Sequence, residues 1–362
     1  MALASGCFTA NVFRREVWTT AARHSILDVA RLAGVHPSTV SRALHRADLP
    51  VREETRRKVL AAVERLEYRP SAIARGLRLQ RTNTLGMLVP DITNPFFPPI
   101  IRGAEEAARE RGYELVLCNT DDAPERETAS LRVLRERQAD GLLIATSRMA
   151  DATVAALRRE RFPFVLVNRG SRVSADLSVE VDNERAAEAV IAHLASLGHR
   201  RIAHIAGPLS TTTGAERAAG YRAAMKARGL PVDASLLEEA DAYAEPSGYA
   251  AATLLLRASP TAIFAANDLL VLGALRAARK AGLRVPAEIS LVGVNDIPLI
   301  SLIDPPLTTV RVPQREMGEI AAGMLIAVLE NQPIARHHVL LDTTLVVRGS
   351  TATPAAVGRR IA

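Results

Sequence analysis

The chain has 362 residues, 48% hydrophobic and 23% charged, with 46 Lys and Arg against 39 Asp and Glu for a formal charge of +7. That is length for two or three domains; two cysteines, Cys7 and Cys118, exclude a disulfide scaffold or cysteine zinc site, and there is no apolar run of about 18 residues to cross a membrane. The excess charge is local: residues 1–81 carry 15 basic and 7 acidic side chains, net +8, and residues 82–362 carry 31 and 32, net −1, so a small basic module suited to a polyanion such as nucleic acid precedes a near-neutral body.

Residues 1–24 contain no unbroken apolar segment, because Asn11, Arg14, Arg15 and Glu16 interrupt them. They read as an extension without stable structure, or as the product of a start codon set too far upstream, and the expected compartment is the cytoplasm. Residues 25–70 read as three short helices. Ser25-Ile26-Leu27-Asp28 has the form of a capping box, after which Val29, Leu32 and Ala33 are expected on one inward face. Gly34 permits the left-handed turn that ends a helix, and Pro37 opens the next, with Val40 and Leu44 inward. Val59, Val63 and Leu66 mark a third helix from about residue 53. Helix, glycine turn, helix at this spacing is a helix-turn-helix. Residues 71–82 form a basic linker with moderate helix preference broken by Gly76, the kind of segment that orders when held.

From residue 83 strand-length apolar runs recur at 85–89, 113–118, 141–145, 164–167, 202–206, 262–265 and 289–294. Helical stretches lie between them, at 99–111, 125–138, 183–197, 215–228, 247–257, 268–281 and 314–330. This alternation predicts parallel sheets covered by helices. The segment is long enough for two doubly wound α/β lobes, over 83–350, with a tail at 351–362. Cys118, inside an apolar run, is expected in a core. In such lobes ligands bind beyond the carboxyl ends of the strands.

Several motifs occur in order: Asp28-Val29-Ala30-Arg31-Leu32-Ala33-Gly34-Val35, Thr39-Val40-Ser41-Arg42, Tyr68-Arg69-Pro70, Ala74-Arg75-Gly76-Leu77, Pro90-Asp91-Ile92-Thr93-Asn94-Pro95-Phe96-Phe97, Leu197-Gly198-His199-Arg200-Arg201-Ile202-Ala203, Ala266-Asn267-Asp268 and Asp304-Pro305-Pro306-Leu307-Thr308-Thr309-Val310. In this series the chain resembles the lac-repressor/gal-repressor family of bacterial transcription regulators over about residues 25–350. The resemblance implies a helix-turn-helix module and hinge, then two lobes of periplasmic-binding-protein type. It implies a cytoplasmic, homodimeric, sequence-specific regulator, a repressor of a carbohydrate or related catabolic operon, controlled by a small-molecule effector held between the lobes.

On the DNA side the resemblance implies that Pro37, Ser38 and Arg42 face bases in the major groove, where Arg42 has the fork geometry for guanine. Thr39 and Ser41 are expected on phosphates. His36 stands where the family often has a capping serine; histidine caps poorly, so a phosphate contact is expected of it instead. Arg52 similarly replaces a cap serine before the third helix. In the linker Ala74 and Leu77 are implied to enter the minor groove, Leu77 as a wedge, with Arg75, Arg78 and Arg81 on phosphates. Two such modules on a two-fold axis require a near-palindromic operator.

On the effector side the implied positions are Asn94, Phe96, Phe97, Asn168, Arg169, Arg217, Asn267, Asn295 and Val312. Asparagines supply donors and acceptors for hydroxyls, arginines are forks for oxygens, and phenylalanines stack on apolar ring faces. Asn168 and Asn295 stand where sugar-binding members often carry acids, and Val312 where glutamine is common. This set is net positive, so a sugar acid or sugar phosphate is expected first and a neutral sugar second. Asp268 and Asp296 are near enough in sequence to restore acidity, although Asp268 also reads as a helix cap.

Rival readings differ in what they require. A solute-binding protein shares the lobes but needs an export signal and lacks a basic three-helix module. A regulator with a protein co-effector shares every motif above. An enzyme needs a reactive constellation, and there is no G-x-G-x-x-G, G-x-S-x-G, P-loop or H-E-x-x-H. His193 and His199 have no third partner for a metal in the sequence, and no cofactor motif occurs.

Overall fold

The computed structural model describes residues 24–45, 51–68, 81–171, 173 and 175–355. The chain forms two compact units, Met1–Gln80 and Arg81–Ala362. Ala74, Arg75, Leu77 and Arg78, with the rest of 69–80, lie outside the described residues, as do residues 1–23 and 356–362.

The first unit is built from α1 (Ile26–Ala33), α2 (Pro37–His45) and α3 (Glu53–Arg65). Ser25 and Asp28 cap α1 reciprocally, and Gly34 ends it at φ 66°. The core joins Val29, Val40 and Val59, each fully buried. Leu32 is not on that face; it is 43% exposed. Two residues past Ala30 is about 200° around the helix, and it is Ala30 that is buried. His36 also departs from expectation. Its Nδ1 lies 3.2 Å from the Ser38 amide, which donates to it, so the imidazole does satisfy an open N–H at the start of α2. Arg52 makes no side-chain cap on α3.

The second unit contains two six-stranded sheets. The first has the order β11-β5-β4-β3-β1-β2, from β1 (Thr84–Val89), β2 (Glu114–Asn119), β3 (Gly141–Ile144), β4 (Phe164–Val167), β5 (Ser178–Val181) and β11 (His338–Leu341). Its pairs are all parallel. The second has the order β12-β10-β9-β8-β6-β7, from β6 (Ile202–Ala206), β7 (Leu237–Glu239), β8 (Ala262–Ala265), β9 (Ser290–Asn295), β10 (Thr308–Arg311) and β12 (Thr344–Val346). It is parallel except for antiparallel β12 at its edge. The central strands are buried on both faces, which is why they read as unbroken apolar runs. Cys118 sits half-buried on edge strand β2, packed against the core cluster that includes Leu88, Leu134 and Leu142.

Helices α4 (Phe97–Glu110), α5 (Pro124–Glu136) and α6 (Ala152–Arg159) belong to the first lobe, and α7 (Asn183–Ser196), α8 (Thr212–Ala227), α9 (Glu245–Leu255) and α10 (Asp268–Lys280) to the second. The last helix, α11 (Gln314–Leu329), returns to pack on α4 and on β3, β4 and β5. The chain thus passes between lobes three times, at 181–183, 311–314 and 341–344. Glycines allow the closest helix pairs: a Cβ at Gly318 would strike the Ile100 carbonyl, and one at Gly103 the Arg315 carbonyl. Gly248 and Gly273 do the same for α9 and α10. Among the described residues no helix is long and apolar enough to cross a membrane.

Candidate functional site

The first candidate surface is α2. Arg42 and Ser38 are exposed, Pro37 and Thr39 half-buried. Arg42 lies back along its own helix, donating from Nε to the Ser38 carbonyl at 3.3 Å and from Nη2 to Thr39 Oγ1 at 3.4 Å. These bonds are long and solvent-facing, so they hold the guanidinium weakly. Ser41 is buried beside Val40 and presents little surface for the phosphate contact expected of it. Arg31, Arg52, Arg56, Arg57 and Lys58 are exposed on the same unit.

The second is a cavity of about 210 Å³ at the carboxyl ends of both sheets. The loops after β1, β2 and β4 supply one wall, and those after β6, β7, β8 and β9 the other. Asn94, Phe96, Phe97, Asn168, Arg169, Arg217, Asn267 and Asn295 all line it. Val312 is buried and is not part of that lining. Phe96 and Phe97 meet edge to face at 5.1 Å, and each belongs to the core while closing the cavity.

The four asparagines divide by what remains free. Asn94 Oδ1 accepts from the Phe96 amide at 3.1 Å, and Asn267 Oδ1 accepts from the Leu270 amide at 2.8 Å, which leaves both side-chain amino groups as donors. Asn267, not Asp268, is therefore the cap of α10. Asn168 Oδ1 and Asn295 Oδ1 are buried with no protein partner, at residues whose φ values are 66° and 122°. Asn and Asp tolerate this left-handed region better than most side chains, and Asp121 and Asp122 share it at 51° and 52°. Few buried polar atoms lack a partner, and of those here the two asparagine oxygens and Arg169 Nε belong to the cavity lining, whereas Glu127 Oε1, Thr146 Oγ1 and His204 Nε2 do not.

Both arginines are engaged. Arg169 is 3% exposed and grips Asp122 with two bonds, 2.7 and 3.1 Å, while its Nε has no partner. Burial opposes its charge, and the Asp122 carboxylate more than offsets that. Arg217 donates from Nε to Asn183 Oδ1 at 2.9 Å and from Nη1 to the Ala266 carbonyl at 2.6 Å. Burial lowers its affinity for its proton. Tyr243 completes the wall, its hydroxyl 2.9 Å from Thr213 Oγ1 and its ring 5.8 Å from the Arg169 guanidinium carbon.

The expectation of a net-positive cleft does not hold. Asp91, Asp121 and Asp122 line it beside the two arginines. Those aspartates follow β1 and β2, so the rule that ligands sit beyond strand ends pointed to them. Tyr243 follows β7, a three-residue strand that gave no periodic signal. Asp268 and Asp296 do not reach the cavity. Asp268 is fully buried, accepting from Thr309 Oγ1 at 2.7 Å and the Ile297 amide at 2.9 Å, and Asp296 pairs with Arg311 at 2.7 Å and with Arg348. Among the described residues no group of three or more His, Cys, Asp or Glu is placed to hold a metal. His199 is buried, within 3.0 Å of Thr261 and Ser290 hydroxyls and the Ala352 carbonyl.

Known proteins share both parts. The family described as bacterial regulatory proteins, lacI family, matches residues 25–71, and the periplasmic binding protein-like domain matches residues 191–351. The ribose operon repressor of Escherichia coli (strain K12) is 38% identical over 327 residues, 89% of this chain and 98% of that protein. A crystal structure of the lac repressor dimer bound to operator and the anti-inducer ONPF superposes with a TM-score of 0.81 at 28% identity, over 91% of this chain and all of that one. A LacI family regulator from Enterococcus faecium, solved with bound ribose, gives 0.66 at 31% identity, over 75% of this chain and 99% of that one. The chain belongs to the LacI family of DNA-binding transcriptional regulators, joining a helix-turn-helix module to a periplasmic-binding-protein-like effector domain.

Proposed function

We propose that this regulator is a homodimeric repressor of a carbohydrate operon whose effector is a neutral monosaccharide of pentose or hexose size. The observation that carries the reading is the lining chemistry. Two asparagines offer donors and two offer buried, unpartnered acceptors. A hydroxyl donates and accepts, so a ring of hydroxyls satisfies these amides in either orientation. Three aspartates against two arginines, with Arg169 already neutralised by Asp122, disfavour an added anion. A cavity of 210 Å³ falls below the ~300–1,000 Å³ of drug-sized sites. The ribose named for a relative and held by a solved neighbour is of this class.

On DNA, α2 enters the major groove with Arg42 on a base edge and Pro37 and Ser38 beside it, Thr39 near a phosphate, and Leu77 as the minor-groove wedge of a palindromic operator, with Ala74, Arg75 and Arg78 around it. Calorimetry of the purified chain against D-ribose, D-glucose, D-ribonate and ribose 5-phosphate tests the effector reading. Binding of a neutral sugar with neither anion competing is expected; tight binding of an anion alone would overturn it.

A further inference from the structure

Two side chains that are not part of the cleft lining tie it to the places where the chain changes lobe. Asn183 opens α7 directly after the first crossover and is 1% exposed. Its amino group donates to Glu216 Oε2 at 2.8 Å, and its oxygen accepts from Arg217 Nε at 2.9 Å. Gln314 opens α11 directly after the second crossover and donates from Nε2 to the Asn295 carbonyl at 2.8 Å. Arg217 and Asn295 both line the cavity. Two crossovers therefore deliver, at their first helical residue, an amide that holds a cleft residue. Neither bond serves to start its helix. Asp182 caps α7 through the Arg185 amide at 2.9 Å, leaving the Asn183 side chain spare for Glu216 and Arg217. In α11 the Gln314 amide reaches away to β9.

When lobes close, the backbone turns at the crossovers. The Gln314–Asn295 bond joins a helix packed on the first lobe to a strand of the second and must yield when they rotate, while the Asn183–Arg217 bond lies within the second lobe and fixes Arg217 to the end of the first crossover. The reverse holds with equal strength, because coupling between two binding or conformational equilibria is reciprocal. We propose that Asn183 and Gln314 are positioning residues that couple the two crossovers to the cleft, so that occupying Arg217 and Asn295 sets the closure of the lobes. The proposal rests on the cleft being the effector site.

Hydrogen exchange on the full chain tests it in a form that needs no effector. Arg217→Met and Asn183→Ala each remove one end of the same bond, and each is expected to speed exchange over 182–190 roughly three- to tenfold, the scale of one buried hydrogen bond. The double variant is expected to exceed either single change, because Asn183 also holds Glu216 and Arg217 also holds the Ala266 carbonyl, but to fall short of their sum, because the two side chains share one bond. Gln314→Met, at a half-buried helix start that tolerates change, is the parallel test over 312–318 should Asn183→Ala fail to fold. Adding D-ribose to the wild type is expected to slow both segments together, and Gln314→Met is expected to bind the sugar while losing protection over 312–318. An additive cycle, or Gln314→Met exchanging like wild type, overturns the coupling whatever the sugar does. Faster exchange over 312–318 in Gln314→Met upholds the coupling, and if D-ribose then slows neither segment of the wild type, ribose leaves the effector reading while the coupling stands.

Discussion

Asp122 sets the charge of the cavity wall around Arg169. Its carboxylate occupies both terminal nitrogens of Arg169 from a residue held at positive φ, so the arginine offers a partner chiefly its unmatched Nε. Asp122→Asn takes away one negative charge and half of the fork's grip. Its affinity for D-ribonate relative to D-ribose is expected to rise by about tenfold, read by competition calorimetry; an unchanged ratio would mean that Arg169 does not face the ligand. Arg42 is the comparable residue on α2. Arg42→Ala is expected to cost about 1–3 kcal/mol of discrimination at one operator position. A gel-shift series against single-base operator variants checks this, because a phosphate-binding arginine would weaken all variants equally.

At the scale of elements, the two closest helix pairs each use glycine where backbones touch. Gly318 on α11 lies against the Ile100 carbonyl of α4, with no room for a methyl group and no flexible side chain to yield. Gly318→Ala is expected to destabilise the first lobe by about 1–3 kcal/mol through forced separation of the helices, measurable as a lower urea midpoint. Gly323 on the same helix has open space at its Cβ, so Gly323→Ala is the control and is expected to be neutral or slightly stabilising. The long helices and the buried central strands were legible because their apolar residues repeat with the element's own period. The short strands with polar residues were not. Ser178-Val179-Glu180-Val181 and Thr308-Thr309-Val310-Arg311 are four residues each, and their strand state comes from sheet neighbours on both sides. The cleft residues carried over by family resemblance converge on one cavity except Val312, which is buried outside its lining. The resemblance did not name Asp91, Asp121, Asp122 or Tyr243; the strand-end rule pointed to the loops of the three aspartates, while Tyr243, after a strand without a periodic signal, became visible only once the loops were placed. The linkers Asn183 and Gln314 left no sequence signal, since each acts through a neighbour far along the chain.

For the molecule as a whole, burial raises the proton affinity of Glu127 and Glu180 in the first lobe and of Glu216 and Asp268 in the second, most of all at Glu127 and Asp268. Burial pushes Glu127 up to about 7, with Asp151 adding to the effect and Arg148 opposing it. Burial likewise pushes Asp268 up to about 7, against the bonds from Ile297 and Thr309. Both titrate well below that when unfolded, so the folded chain holds more protons from about pH 4 to 7. The contribution of these two groups to stability is therefore full below that window, is lost as pH rises through it, and changes no further above about pH 7. The loss is on the order of 3 kcal/mol per carboxyl. Thermal melts from about pH 5 to about pH 8 should show the decline, with Glu127→Gln flattening part of it and exceeding wild type at the alkaline end.

The three passages between lobes have a consequence for how the chain comes off the ribosome. The first lobe takes residues 81–182 and then waits for α11 and β11, which follow nearly all of the second. Until residue 341 is made, β4 and β5 lack the helix that covers them and the strand that borders them. During synthesis the half begun first is thus the half finished late, and it is on this nascent sheet that a holding chaperone would find its apolar target.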